Sequence, residues 1–362
     1  MISLCNSNRA ASLKGKPMIG THLYKNAHWS VHLADRAGKL LFVFVLLHLV
    51  CVLTYSQEAK PWVDPSPHKV TFVTVNNDAR LEVLDWGGKG RPLVLLAGAG
   101  NTAHVFDDFA LKLTDHYHVY AITRRGFGAS SYAGSDYGAE RLGDDVVAVL
   151  DSLKLPAPVL VGHSLGGLEM SSVANRYPKR IAGAIYLDAA YSYAFDNGKG
   201  SNLSELKGPP QPPRPGPEEM ASFAALIKWN IQTDGFAPPE SEFRQLYEAS
   251  ADGRVGKRLV PQAAGKLQPP TTKFAAIPVP ALVIFAEPHD WGPWLKSTDT
   301  TAQEAAKKFT ALEVSVTERQ AKAIEEAVPT AHVVRIPNAN HYVYLSNQAE
   351  VLREMRAFIS KL

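Results

Sequence analysis

The chain has 362 residues, 46% hydrophobic and 20% charged, a balance that supports a sizeable buried core and excludes disordered and collagen-like classes. Its formal charge is +3, but residues 1–56 hold six Lys/Arg against one acid, so the rest carries 32 basic and 34 acidic residues, without the basic excess of a nucleic-acid binder. Both cysteines, Cys5 and Cys51, lie in that first segment, which removes a disulfide framework, a cysteine-ligated zinc and a thiol nucleophile from everything downstream.

In chain order, the first feature is an apolar run from Leu40 to Thr54, about fifteen residues, short for a membrane span and within the range of a secretory core. Arg36 and Lys39 precede it, and Thr54-Tyr55-Ser56 follows with small residues suited to cleavage before Gln57. Residues 1–56 therefore read as a signal peptide or, if uncleaved, a membrane anchor through residues 40–54. The expected location is exported, periplasmic or secreted, or membrane-anchored. Residues 57–68 read as a linker.

Past Pro61, short apolar runs alternate with stretches of helical period, the pattern of an α/β layer architecture with a mostly parallel sheet. Lys69–Val75 and Arg80–Trp86, joined by Asn76-Asn77-Asp78, read as a hairpin. Pro92–Ala97, Tyr117–Ile122, Pro158–Gly162 and Ile181–Asp188 follow as buried strands, with helices predicted over Ala103–Thr114, Glu140–Leu153 and Leu165–Tyr177. The rhythm breaks at residues 191–280, where a proline-rich stretch leads to two amphipathic segments, Glu218–Ile231 and Glu240–Ser250, read as an inserted helical cap. It resumes with strands at Ala281–Ala286 and Ala331–Ile336 and a closing helix over Asn347–Leu362, with Asn347 and Glu350 as a cap box. The core is thus 69–190 together with 281–362.

The sharpest chemical signal is Gly162-His163-Ser164-Leu165-Gly166, between a predicted strand and a predicted helix. Such a turn needs glycines two residues either side of the serine, because the backbones pack too closely for side chains, and it thrusts Oγ out at the sheet's C-terminal edge. A neutral hydroxyl requires a base and a carboxylate that orients the base. His341 falls just past the last predicted strand, and Asp290 just past the one before it. Glu287 and Asp188 are the competing carboxylates. Glu169, five residues past the serine, reads as the partner of an arginine. His116 and His118 lack a third ligand, so no metal is expected.

With these landmarks in order, residues 69–362 resemble a cap-bearing serine hydrolase of the α/β-hydrolase fold: Pro92–Gly100, Arg124-Arg125-Gly126-Phe127-Gly128-Ala129-Ser130, the serine turn and Ala281–Asp290 all match. The resemblance implies an eight-stranded, mostly parallel sheet flanked by helices, a Ser164–His341–Asp290 triad, and an oxyanion hole from the amides of Ala99 and Leu165. It implies attack on a carboxylic ester through an acyl-enzyme, with no cofactor and a small-molecule substrate; oligomeric state is not readable. Amidase, peptidase and haloperoxidase activity share the constellation. Ala97-Gly98 stands where the family has His-Gly, and Arg124 where it often has Asp. Trp291, Trp294 and Trp229 either line an acyl pocket or seal the insertion against the core. A rival reading takes Gly98–Ala103 as a G-x-G-x-x-A dinucleotide loop, with Arg124 on an NADP 2′-phosphate.

Overall fold

The computed structural model describes residues 62–134, 136–263, 265–267 and 273–362. The apolar run at 40–54 and its cleavage motif lie outside the described residues. Among those described, no helix is long and apolar enough to cross a membrane.

From Asp64 to Leu362 the chain is built on one sheet. β1 (Lys69–Thr74) and β2 (Arg80–Gly87) form an antiparallel hairpin, Lys69 opposite Asp85 and Thr74 opposite Arg80. β3 (Pro92–Leu96) is followed by a 3-10 turn at Ala103–Phe106 and a short helix, α1 (Asp107–Leu111). Then come β4 (His118–Ile122), α2 (Ala139–Ser152), β5 (Val159–His163), α3 (Gly166–Arg176) and β6 (Gly183–Leu187). Here the chain leaves the sheet for α4 (Phe223–Asp234), α5 (Glu240–Leu246) and a small hairpin of β7 (Tyr247–Ala249) with β8 (Val255–Arg258). It returns as β9 (Ala281–Ala286), α6 (Thr300–Ala327), β10 (Ala331–Ile336), α7 (Val343–Ser346) and α8 (Gln348–Ile359).

The spatial order is β1-β2-β4-β3-β5-β6-β9-β10. Every pairing from β4 to β10 is parallel, and the two involving β2 are antiparallel. The central strands are apolar along nearly their whole length because both faces are covered, and period two sorts their side chains. Val94, Leu96, Leu160, Tyr186, Val283 and Phe285 face α2, α3 and α6, whereas Leu93, Leu95, Val161, Ile185 and Ile284 face α1 and α8. The expected eight-stranded, mostly parallel sheet is present.

Several helices differ from the sequence reading. Ala103–Thr114 is not one helix, because Thr123 Oγ1 and Thr102 Oγ1 take the amides of Ala103 and His104 and tighten the start into a 3-10 turn. In the insertion, Ser222 caps α4 four residues later than the predicted start at Glu218, and Gly235, at φ 88°, ends it. The second stretch turns extended at Tyr247. Asn347 precedes α8 without a side-chain capping bond. The 28 residues of α6 carry no clear signal in the sequence, because the buried face mixes Val316, Ala321 and Ile324 with Glu313, Thr317 and Gln320 and breaks the apolar period.

Candidate active site

β5 ends at His163, and the chain reverses into α3 through Ser164, held at φ 48°, a left-handed conformation that costs a non-glycine residue of order 1 kcal/mol. The flanking glycines are required by close approach: a Cβ on Gly162 would lie 2.8 Å from the Gly166 carbonyl carbon, and one on Gly166 would lie 2.4 Å from Leu96 O. The loop after β3 is pressed against the same turn, since a Cβ on Gly98 would stand 3.1 Å from Ser164 Cβ. Leu165 directly precedes the first residue of α3, so its amide belongs to the positive end of that helix.

His341 sits on the loop after β10, and its Nδ1 donates to Asp188 Oδ2 at 2.6 Å. Asp188 is wholly buried at the end of β6. The same carboxylate accepts from His289 Nε2 (2.8 Å), Tyr191 Oη (2.9 Å) and the Ala286 amide (3.1 Å). Burial alone would raise the Asp188 carboxyl, but His289 and His341 hold it well below the usual range. Burial would lower His289, yet Asp188 and Glu313, which accepts from its Nδ1, lift it to about 10. His163, by contrast, is pushed down to about 3 by burial and by neighbouring His341, and its Nε2 donates to the His341 carbonyl at 3.0 Å.

The expected pairing of His341 with Asp290 is therefore corrected. Asp290 lines the cavity beside Ser164, but its carboxylate folds back to accept from the Gly292 amide at 2.9 Å, and its own amide donates to Ala339 O at 2.8 Å. The side chain is spent on its own turn. Glu287 faces Arg335 at 3.9 Å instead.

Ser164, His341 and Asp188 open on one cavity of about 380 Å³, walled by Tyr191, Tyr193, Leu203, Leu206, Trp291 and Phe309. Tyr193 and Ser164 line the same cavity. Of the three tryptophans singled out, Trp291 is in this wall, its Nε1 donating to Thr310 Oγ1 at 2.8 Å. Trp294 braces Trp291 from behind through its carbonyl at 2.5 Å. Trp229 and Ala99 border a different cavity, on the side of α4 and α5. Tyr191, Tyr193, His289 and Glu313 were not anticipated. Tyr191 and Tyr193 follow Asp188 so closely that their spacing was the available signal, whereas Glu313 lies on the unassigned helix.

The arginine in the loop after β4 has a definite task. Arg124 Nε donates to the buried carboxylate of Glu169, and the other two guanidinium nitrogens donate to Ala97 O (2.6 Å) and Gly98 O (3.2 Å). Arg125 is committed to Asp145. The dinucleotide reading of Gly98–Ala103 fails on the same geometry: Arg124 is fully engaged, and the Thr102 amide donates to the Glu242 carboxylate at 3.1 Å, the place a phosphate would need. Two antiparallel strand pairings also precede the parallel part of the sheet.

Residues 93–354 match the alpha/beta hydrolase family, and the chain belongs to it. It is 31% identical over 182 residues to a carbendazim hydrolyzing esterase of Nocardioides, covering 49% of this chain and 71% of that protein. It is 31% identical over 114 residues to a 3-oxoadipate enol-lactonase of Acinetobacter baylyi, covering 31% of this chain and 43% of that one. Non-heme haloperoxidases match as well. Six of the curated relatives are spanned over only 36–44% of their own length. Among solved structures, an alpha/beta hydrolase of Novosphingobium aromaticivorans superposes with a TM-score of 0.56 at 18% identity, over 83% of this chain and all of that one, a likeness of fold.

Proposed function

We propose that the protein is a serine esterase in which Ser164 is the nucleophile, His341 the base and Asp188 the orienting carboxylate. The observation that carries the reading is the 2.6 Å bond from His341 Nδ1 to buried Asp188, with His341 and Ser164 on one cavity. With Nδ1–H committed to Asp188, the neutral imidazole presents its Nε2 lone pair to take the proton of Ser164 as Oγ attacks the ester carbonyl. The amides of Leu165 and Ala99 are the proposed donors to the oxyanion, each worth about 3 kcal/mol by analogy with single-donor removal. His341 returns the proton to the leaving alcohol, and water then releases the acid from Ser164.

The apolar walls suit a small acyl group. Residues 191–280 act as a cap over it, and the protein works outside the cytoplasm or on a membrane, a reading supported by Arg36, Lys39 and the apolar run behind them. N-terminal sequencing of the native protein should then find Gln57 or a close neighbour, and an intact start in the membrane fraction would replace cleavage with an anchor.

A fluorophosphonate probe should label the protein at Ser164, Ser164→Ala should abolish labelling, and p-nitrophenyl esters of short acids should turn over faster than aminoacyl anilides. An active preparation that ignores the probe would sink the proposal, and faster anilides would make it an amidase.

A further inference from the structure

On the far side of the loop that follows β3 lies a second cluster that the serine chemistry does not use. We propose that Asp64, His68, His104 and Asp107 form a structural site for a divalent transition-metal ion, zinc in the first instance. This reverses the expectation that the chain binds no metal, and it stands independently of the esterase reading.

One donor atom from each of the four side chains lies within 4.8 Å of all the others. His104 Nδ1 is 3.3 Å from Asp64 Oδ2 and 3.3 Å from Asp107 Oδ2, and His68 Nε2 is 3.8 Å from Asp64 Oδ2. Ligands held tetrahedrally at about 2.0–2.1 Å from zinc stand roughly 3.3–3.4 Å apart. The three edges are at or slightly beyond that separation.

The surroundings are those of a metal centre. His104 Nε2, the nitrogen on the outer side, lies 3.5 Å from Glu82 Oε1, and Glu82 is itself held by Thr123 Oγ1 at 2.7 Å. Ser241 Oγ donates to Asp107, and Ser66 Oγ lies 3.0 Å from His68 Nδ1, a nitrogen that also meets Asp107 Oδ1 at 2.8 Å. A carboxylate behind a ligating histidine and hydroxyls on ligating carboxylates fix ring orientation and raise ligand basicity.

Charge points the same way. The side chains of His68, His104, Asp107 and Glu82 are 3–6% exposed, and Asp64, at 22%, is the opening. Among the described residues, the ion pairs of Asp64, Glu82 and Asp107 are all with these two histidines. Three carboxylates gathered out of water need compensating positive charge. A divalent ion neutralises Asp64 and Asp107 and leaves the His104 Nε2–H for Glu82. Two imidazoles with two carboxylates suit zinc and are foreign to calcium or magnesium, which take oxygen shells.

The site would tie together three parts of the chain: the segment before β1 (Asp64, His68), the turn directly after the Gly98–Ala103 loop (His104, Asp107) and α5 of the insertion (Ser241). None of these residues lines the cavity of Ser164. The ion's role is to hold the loop and the insertion in place, not to touch substrate.

The test uses the full chain, stripped with chelator, reloaded with zinc sulfate and passed through gel filtration. Elemental analysis should find about one zinc per chain, and zinc should raise Tm by roughly 5 °C at a hundredfold excess over Kd. His68→Gln/His104→Gln should bind none, whereas His289→Gln should keep its zinc, which separates this cluster from the histidines on Asp188. Zinc at the buffer blank with an unmoved Tm in the wild type would overturn the proposal and leave an ionic latch, as would zinc retained at full stoichiometry by the double variant. Should that variant not fold, cobalt loading of the wild type decides: intense tetrahedral d–d bands are expected, and their absence overturns the site.

Discussion

Asp188 takes four hydrogen bonds on two oxygens, two of them from imidazoles, so its charge is committed before any substrate arrives. If it orients His341, Asp188→Asn loses the correct tautomer, and kcat should fall by up to roughly 10⁴ with KM little changed. Asp290→Asn should stay within about tenfold of wild type, because its carboxylate caps a turn. Steady-state kinetics on one p-nitrophenyl ester decides between them, and the reverse ranking would return the role to Asp290. His289 gives a second, pH-dependent test. Its folded pKa, about 10, lies above the 6.5 of the free side chain, so the stability it contributes is complete below pH 6.5 and is lost as pH rises toward 10. The urea-unfolding gap between wild type and His289→Gln should be widest at the acidic end of that window and close toward its alkaline end; a constant gap would mean a neutral His289.

The elements that carry the site are held by one guanidinium. Arg124, on the loop after β4, joins Glu169 of α3 to the carbonyls of Ala97 and Gly98 after β3, bracing the loop proposed to stabilise the oxyanion against the helix that follows Ser164. Arg124→Gln strands Glu169, wholly enclosed, without its cation, a change that costs about 3–5 kcal/mol in comparable buried pairs. Arg124→Gln/Glu169→Gln should recover part of that loss in denaturant titrations. Both should lower kcat, since the loop carbonyls lose their anchor in either case. A double variant no more stable than the single one would mean that the pair itself matters little.

Over the whole molecule, the cavity is shared between the sheet's C-terminal edge and the insertion. Ser164, Asp188 and His341 come from loops after β5, β6 and β10, whereas Leu203, Leu206 and Pro209 come from the stretch after β6. Acyl-chain selection should therefore respond to residues far in sequence from the reacting groups. Leu203→Ala/Leu206→Ala should shift preference toward longer acyl chains, by roughly tenfold in the ratio of kcat/KM values for hexanoate over acetate, as expected when a hydrophobic pocket gains room for a methylene or two. An unchanged ratio would place the acyl group elsewhere.

The sequence alone carries the sheet: the central strands, buried on both faces, announce themselves as short apolar runs, and the hairpin of β1 and β2 through its Asn76-Asn77-Asp78 turn, so that all eight were legible from Lys69 to Ile336. It also determined the serine turn, whose glycines at 162 and 166 are demanded by local backbone contact, and the histidine after the last strand. Glu169 was readable as the partner of an arginine because a carboxylate is out of place on a helix packed against the sheet, but the fold alone identifies that arginine as Arg124. Which carboxylate meets His341 was settled by contacts between distant segments. Asp290 and Asp188 both follow strands in the right order, but Asp290 closes a turn on the Gly292 amide two residues ahead, while Asp188 is delivered to His341 across 153 residues of chain. The same contacts set the long α6, whose buried face carries polar residues among the apolar ones because it supplies Glu313 to His289 and Gln320 to the carbonyls of Ala190 and Phe195. The cluster of Asp64, His68, His104 and Asp107 belongs with these: its members lie up to 43 positions apart, and nothing in their local spacing says that the hairpin of β1 and β2 folds the first pair back onto the second. Local contacts write themselves into spacing. Contacts between distant segments exist only once the sheet has brought their loops to one edge.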